Sequence, residues 1–303
     1  MPEKLSTQRL GDLGEEALVD RLIALLPPDP ALLVGPGDDC AVVETEHGPW
    51  QLLKTDCLIE GVHFLPGSDP ALVGRKAIHR AVSDIAAMGG EPRHALVTLA
   101  VSADRTLGEV EGWYCGMVAA ATAAGCSIVG GETSRLPEKG ALLSVAMTGL
   151  VAPEHCVLRS GASRGDIIAV TGRLGGSFES GRHLTFSPRL AEARWLVEHA
   201  RPTAMMDLSD GLGSDLPRLA RASGGGYRVD STTIPCHPGI DVERAIGEGE
   251  DYELLATFSP ATFATLPARW AAAFPDVPLT AIGEITEDTD EPLPRGWEHY
   301  RNE

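Results

Sequence analysis

The sequence predicts a two-domain α/β (α+β) protein, and three observations carry that prediction. The chain has 303 residues, about twice the ~150 residues of an average domain. Strand-like and helix-like segments alternate in both halves, the pattern of layered α/β architectures. The alternation restarts near Arg159, which divides the chain into one domain over 1–152 and another over 153–303.

The elements follow in order. Leu10, Leu13, Leu18, Leu22 and Leu26 recur at helical spacing and Pro27-Pro28 stops the run, so a helix is expected over 10–26. Short strands are expected at 32–34 and 41–44, separated by the turn Gly35-Pro36-Gly37-Asp38-Asp39, and a third over 51–55 ends at Asp56. Ala77, Ile78, Ala81, Val82, Ile85 and Ala86 form one apolar stripe, which makes 74–88 a helix that Gly89-Gly90 caps. A strand over 95–101, a helix over 107–124, a short strand over 126–129 running into Gly130-Gly131-Glu132-Thr133, and a strand over 141–151 complete this half. The second half reads as strands over 167–170, 204–206, 253–258 and 280–285, with helices over 188–200 and 214–222 and a turn at Gly224-Gly225-Gly226.

Composition narrows the function. Aromatics are 5% of the chain, so Leu, Val, Ile and Ala must carry the core. The balance of 25 basic against 43 acidic residues, net −18, argues against a nucleic-acid backbone as partner, because phosphate tracking needs clustered Lys and Arg. It leaves room for a small phosphorylated ligand held through metal ions, for which carboxylates are the natural protein groups. No stretch approaches the ~18 apolar residues of a membrane span. Residues 1–12 are polar and lack the apolar core of a secretory signal. The six cysteines form no C-x-x-C pair, and scattered thiols in a chain of this size read as reduced and cytoplasmic.

The informative pattern is carboxylates in glycine-flanked turns at the ends of apolar strands. These are Asp38-Asp39, Asp56, Glu132, Asp207 with Asp210, and Glu250, Asp251 and Glu253; Asp84 adds a carboxylate on the helix over 74–88. A single Asp in such a turn is ordinarily a turn former or a helix cap. Asp210 has that alternative, and Asp84 has the alternative of pairing with Arg80 one turn away. Six converging carboxylates repel and are tolerated only when cations neutralise them, which points to binding of several Mg²⁺ ions. Other nucleotide and hydrolase signatures are missing: there is no G-x-x-x-x-G-K-[ST], no third glycine after Gly35-x-Gly37, no kinase H-R-D loop, and no G-x-S-x-G elbow at Ser177 or Ser209.

In this order, Gly37-Asp38-Asp39-Cys40-Ala41, Thr55-Asp56, Gly61-Val62-His63-Phe64, Ser83-Asp84 through Met88-Gly89, Gly130-Gly131-Glu132-Thr133, Arg159-Ser160-Gly161, Asp207 through Gly211 and Gly249 through Leu254 resemble the thiamine-monophosphate kinase family. This belongs to the superfamily that also holds aminoimidazole ribonucleotide synthetase, selenophosphate synthetase and a hydrogenase-maturation enzyme. The resemblance implies ATP-dependent phosphorylation of thiamine monophosphate in a homodimer whose N-terminal sheets form a central barrel. By position it implies that Asp38, Thr55, Asp56, Asp84, Glu132, Asp207 and Asp210 hold Mg²⁺, with Asp56 and Asp210 nearest the chemistry. Tyr114, Gly131, Glu132, Arg159 and Ser209 would contact ATP, and His63, Glu250 and Trp297 the thiamine substrate. Glu250 would pair with the cationic thiazolium, and Trp297 would stack on a ring.

Two residues depart from the pattern. Lys54 stands where the family has Ser or Thr; its ammonium would replace part of one metal's charge unless it faces solvent. Glu132 stands where the family has Asp and reaches one methylene further. Gly181-Arg182-His183-Leu184 has no role in the pattern. The competing readings are a sister ATP-dependent synthetase, a nucleotide-binding paralogue without the kinase step, and an acidic metal-binding scaffold. The first lacks support because Cys40 is the first cysteine and the chain ends Arg301-Asn302-Glu303. No D-x-D-x-D-G loop supports the scaffold.

Overall fold

A computed structural model describes residues 7–288 and 292–300. The N-terminal half runs α1 (Leu10–Leu13), α2 (Glu15–Ile23), β1 (Leu32–Val34), β2 (Ala41–Val43), β3 (Trp50–Ile59), α3 (Pro70–Ala87), β4 (Glu91–Val101), α4 (Leu107–Ala123), β5 (Ser127–Arg135) and β6 (Ala141–Val151). The C-terminal half runs β7 (Ile167–Thr171), α5 (Arg182–Thr185), α6 (Leu190–His199), β8 (Ala204–Asp207), α7 (Leu212–Ala222), β9 (Gly226–Val229), α8 (Val242–Gly247), β10 (Leu254–Phe258), α9 (Pro260–Phe263), α10 (Leu266–Ala273) and β11 (Leu279–Thr286). The strands form a six-stranded sheet in the order β1-β2-β3-β6-β4-β5 and a five-stranded sheet in the order β8-β10-β7-β11-β9. Among the strands of the described residues, only β4 and β5 pair in parallel. The polar stretch over residues 1–6 lies outside the described residues, among which no helix is long and apolar enough to cross a membrane.

The expected helix over 10–26 is two helices, because Gly14 takes φ +81° between them. Two corrections bear on the site. β3 does not end at Asp56 but continues to Ile59, pairing with β6 along its whole length. Likewise Gly130, Gly131 and Glu132 are not a turn; they lie inside β5, an edge strand. Glycine is tolerated there because the backbones approach closely: a Cβ on Gly131 would sit 1.9 Å from the Val97 carbonyl oxygen.

Side chains alternate across β3. Leu52 and Leu58 are buried against α3, while Leu53, Thr55 and Ile59 face away from it. Lys54 and Asp56 share the parity of Leu52 and so point to the helix side. On that side one core joins Leu52, Val97, Leu143 and Val145 to Ile78, Val82 and Ile85 of α3 and Trp113 and Met117 of α4. The other face of the sheet carries exposed Leu53, Leu96 and Val129 and has no covering layer among the described residues. A third core cluster joins the halves, packing Ala86 and Ala87 of α3 on Val197 of α6 and Met205 of β8.

Candidate active site

Three elements from both halves bring carboxylates together: Asp39 from the loop after β1, Asp84 from α3 and Asp207 at the end of β8. Each offers an oxygen within 4.8 Å of the others, and all three are buried. Ser83 donates to Asp207 Oδ2 at 2.6 Å, so neighbouring residues on one helical turn hold the C-terminal carboxylate against the N-terminal one. Burial and then the Asp39 charge raise the Asp207 carboxyl to about 7, and burial raises Asp84 far above the ordinary range. Asp39 Oδ2 is buried without a hydrogen-bond partner. An all-oxygen, electron-rich donor set with an orphaned carboxylate oxygen fits a hard divalent cation such as Mg²⁺.

The acids around this trio are already matched with bases. The Arg159 guanidinium lies 2.5 Å from Asp39 Oδ1. Its backbone N–H donates to Asp38 Oδ2 at 3.0 Å, while burial and the Asp39 charge raise Asp38 to about 6. Lys54 Nζ lies 2.6 Å from Asp84 Oδ1. Lys54 therefore turns into the acid cluster rather than to solvent, and Asp84 pairs with it rather than with Arg80. Arg80 Nε instead lies 3.0 Å from Asp56 Oδ2. Arg218 holds Asp210 at 2.5 Å and Asp215 at 2.9 Å; the cap of α7 falls to Gly211 with no side-chain bond, so Asp210 is not a helix cap.

Beside this lies a cavity of about 530 Å³ whose walls include His63, Ser209, Asp210, Glu250 and Trp297. Every expected substrate contact is on that wall. The loop over 249–253 is held in an uncommon conformation, with Glu250 at φ +66° and Tyr252 at φ +52°, which costs of order 1–3 kcal/mol per residue. Its supports are the Glu250 N–H donating to the Ser209 carbonyl at 2.7 Å and Tyr252 stacked on Phe186. Glu250 is not a free carboxylate: the buried Lys76 ammonium pairs with it and donates to the His63 carbonyl at 2.6 Å. Burial lowers Lys76 to about 8. His63 accepts the Ile59 N–H at its Nδ1 and is held neutral by burial, down to about 3. Trp297 is 50% exposed, with the His299 ring perpendicular to it at 6.0 Å.

The remaining expected residues stand apart. Thr55 faces the uncovered side of the sheet. Gly131 pairs with Val97, Val97 with Val145 and Val145 with Asp56, so three strand spacings of ~4.8 Å put Gly131 on the order of 14 Å from Asp56. Glu132 lies beside it, exposed, with Ser134 donating to it at 3.2 Å. Tyr114 packs partly buried on α4. Arg80 and Lys76 are site residues that the sequence did not place in the site, and Asp39 belonged to the carboxylate pattern without being among the metal ligands implied by position. Asp39 lay in a quoted motif, whereas Arg80 and Lys76 occupy α3 at helical spacings that carry no site signal of their own.

Residues 37–151 match the family described as AIR synthase related protein, N-terminal domain. The thiamine-monophosphate kinase of Bacillus subtilis is 33% identical over 84% of this chain and 86% of its own. That of Aquifex aeolicus is 34% identical over 96% of this chain and 100% of its own. A solved structure described as AaThiL complexed with AMPPCP and TMP superposes with a TM-score of 0.82 at 32% identity, covering 97% of this chain and 100% of that one. The chain belongs to the thiamine-monophosphate kinase family.

Proposed function

We propose that the chain transfers the terminal phosphoryl group of ATP directly to the phosphate of thiamine monophosphate, giving thiamine diphosphate and ADP. The observation that carries this is the cavity joining His63, Ser209, Asp210, Glu250 and Trp297 beside the Asp39–Asp84–Asp207 trio. The relatives' names and the solved complex with an ATP analogue support the same reading.

The attacking group is a phosphate oxygen, largely ionised near pH 7 because its second pKa is about 6. It needs no general base, consistent with a His63 held neutral by burial. The barrier is repulsion between two phosphates. Asp39, Asp84 and Asp207 would hold Mg²⁺, which supplies charge neutralisation and in-line orientation when bound. Arg159 presents a planar fork suited to a phosphate, and Asp39 keeps it in place. Trp297 offers its half-exposed ring to the substrate. Glu250, paired with Lys76, presents a carboxylate whose charge is shared rather than one dedicated to the thiazolium.

The proposal includes a homodimer in which the two six-stranded sheets pack by their uncovered faces. Exposed Leu53, Leu96 and Val129 support it. The roles of Thr55, Tyr114, Gly131 and Glu132 rest on that pairing, because one chain keeps them away from the cavity. We also place the domain division at 152/153 and the activity in the cytoplasm.

The test is incubation of the pure protein with ATP, Mg²⁺ and thiamine monophosphate, with unphosphorylated thiamine as control. Thiamine diphosphate and ADP formed from the monophosphate alone are expected. Turnover of thiamine, or ATP binding without product, would overturn the reading.

A further inference from the structure

Lys54 is placed unlike the other bases of the site. It projects from the middle of β3 toward α3, and its Nζ lies 2.6 Å from Asp84 Oδ1, an oxygen of the buried trio. Its side chain is 22% exposed and that of Asp84 9%, so the contact is partly shielded from solvent. Mg²⁺ binds carboxylate oxygens at 2.0–2.1 Å and keeps an ordered coordination shell. An ammonium at hydrogen-bond distance from the same oxygen occupies that side of the carboxylate and repels a second cation there. With Arg159 on Asp39, two of the three acids are already ion-paired with a cation of the chain itself. Arg159 donates to Asp39 Oδ1 and leaves Asp39 Oδ2, itself buried, without a hydrogen-bond partner. Lys54 stands on a strand paired to β6 throughout, which fixes the backbone from which it projects.

Resting on the metal reading above, we propose that Lys54 is a built-in monovalent cation that takes the place of one divalent ion at Asp84, so that this chain binds one divalent ion fewer than the same site would without it. Lys54 is then a positioning residue: it fixes Asp84 and sets the charge that the remaining ions must neutralise. The dependence of nucleotide binding on divalent ion is correspondingly less steep.

The experiment counts bound Mn²⁺, read from the loss of the free-ion EPR signal, on the full chain with a non-hydrolysable ATP analogue. Wild type is compared with Lys54→Ser, Lys54→Gln and Lys54→Arg, each checked for folding by circular dichroism. The serine and glutamine variants are expected to take up one more Mn²⁺ per chain than wild type, and the arginine variant none more. Two neutral variants guard against one failing to fold. Equal, non-zero counts in wild type and both neutral variants overturn the assignment of Lys54 while leaving the metal reading intact. No Mn²⁺ uptake by any form overturns the metal reading and this inference with it.

Discussion

Asp39, Asp84 and Asp207 are held together against their own repulsion, and that sets a sign for mutation. The Asp207 carboxyl is raised to about 7 by burial and by Asp39. A carboxyl whose folded pKa is raised opposes folding above that pKa and ceases to as the pH falls below its unfolded value near 4. Asp207→Asn should therefore raise the melting temperature in EDTA at pH 8, with the gain fading between about pH 7 and 4. Activity should fall by at least ~100-fold, because one proposed metal ligand is lost. A melting temperature that drops at pH 8 would mean that Asp207 is a structural hydrogen-bond acceptor only. His79 gives the opposite sign. It is buried in α3, donates from Nδ1 to the Phe186 carbonyl at 3.0 Å, and is lowered to about 4 by burial. Below about pH 6.5 the unfolded chain takes up a proton that the folded chain refuses, so stability is lost down to about pH 4, by up to roughly 3 kcal/mol at ~1.4 kcal/mol per pKa unit. Denaturant titrations of wild type and His79→Gln at pH 7 and pH 5 check this; an unchanged difference between the two proteins refutes it. The identities of the acids were legible in the sequence, since each sits in a motif of its own. Their partners were not. Arg80 serves Asp56 rather than its helical neighbour Asp84, and Lys76 serves Glu250 from 174 residues away; such pairings are made by tertiary packing, which local spacing does not encode.

At the scale of elements, α3 and α4 approach through glycine. A Cβ on Gly74 would lie 1.9 Å from the Trp113 carbonyl oxygen, and one on Gly116 the same distance from that of Ala71. Backbone cannot yield as a side-chain tip does, so Gly116→Ala should destabilise by about 1–3 kcal/mol. Gly108, in the same helix with nothing near its Cβ position, is the control: Gly108→Ala should stabilise by about 0.5–1 kcal/mol. Chemical denaturation of both variants tests the pair, and similar shifts of one sign would refute the packing argument. Long periodic elements such as α3, α4 and β6 were readable because their apolar residues repeat over many turns or strand alternations. β3 and β5 were cut short at Asp56 and Gly130-Gly131 because glycine and acid residues ordinarily punctuate strands; here the β6 ladder and an edge position override that preference. The short helices α5, α8, α9 and α10 span at most eight residues, too few for a helical period to emerge.

At the scale of the molecule, the uncovered face of the six-stranded sheet is the feature that needs a partner. Leu96 is 51% exposed there. Leu96→Asp should leave the chain folded, since an exposed side chain is not part of its own core, yet convert the proposed dimer to a monomer in sedimentation velocity. A monomeric wild type, or a dimeric variant, would remove this face as the interface. The mixed α/β character was legible from the alternation of elements. The uncovered face was less so, because a half-apolar strand reads the same whether its second face meets solvent or another sheet.

The pairing of β3 with β6 has a consequence for how the protein is made. β3 has β2 on one side through residues 51–53, but its other side pairs only with residues 142–151, so the middle of the N-terminal sheet is missing until roughly the first half of the chain has left the ribosome. At about 5–20 residues per second, the apolar stripe of α3 and the open edge of β3 wait several seconds for β6. During that interval the nascent chain exposes the surfaces that most readily engage chaperones or neighbouring chains, and substitutions that weaken β6 should reduce the yield of soluble protein more than they reduce the stability of the finished fold.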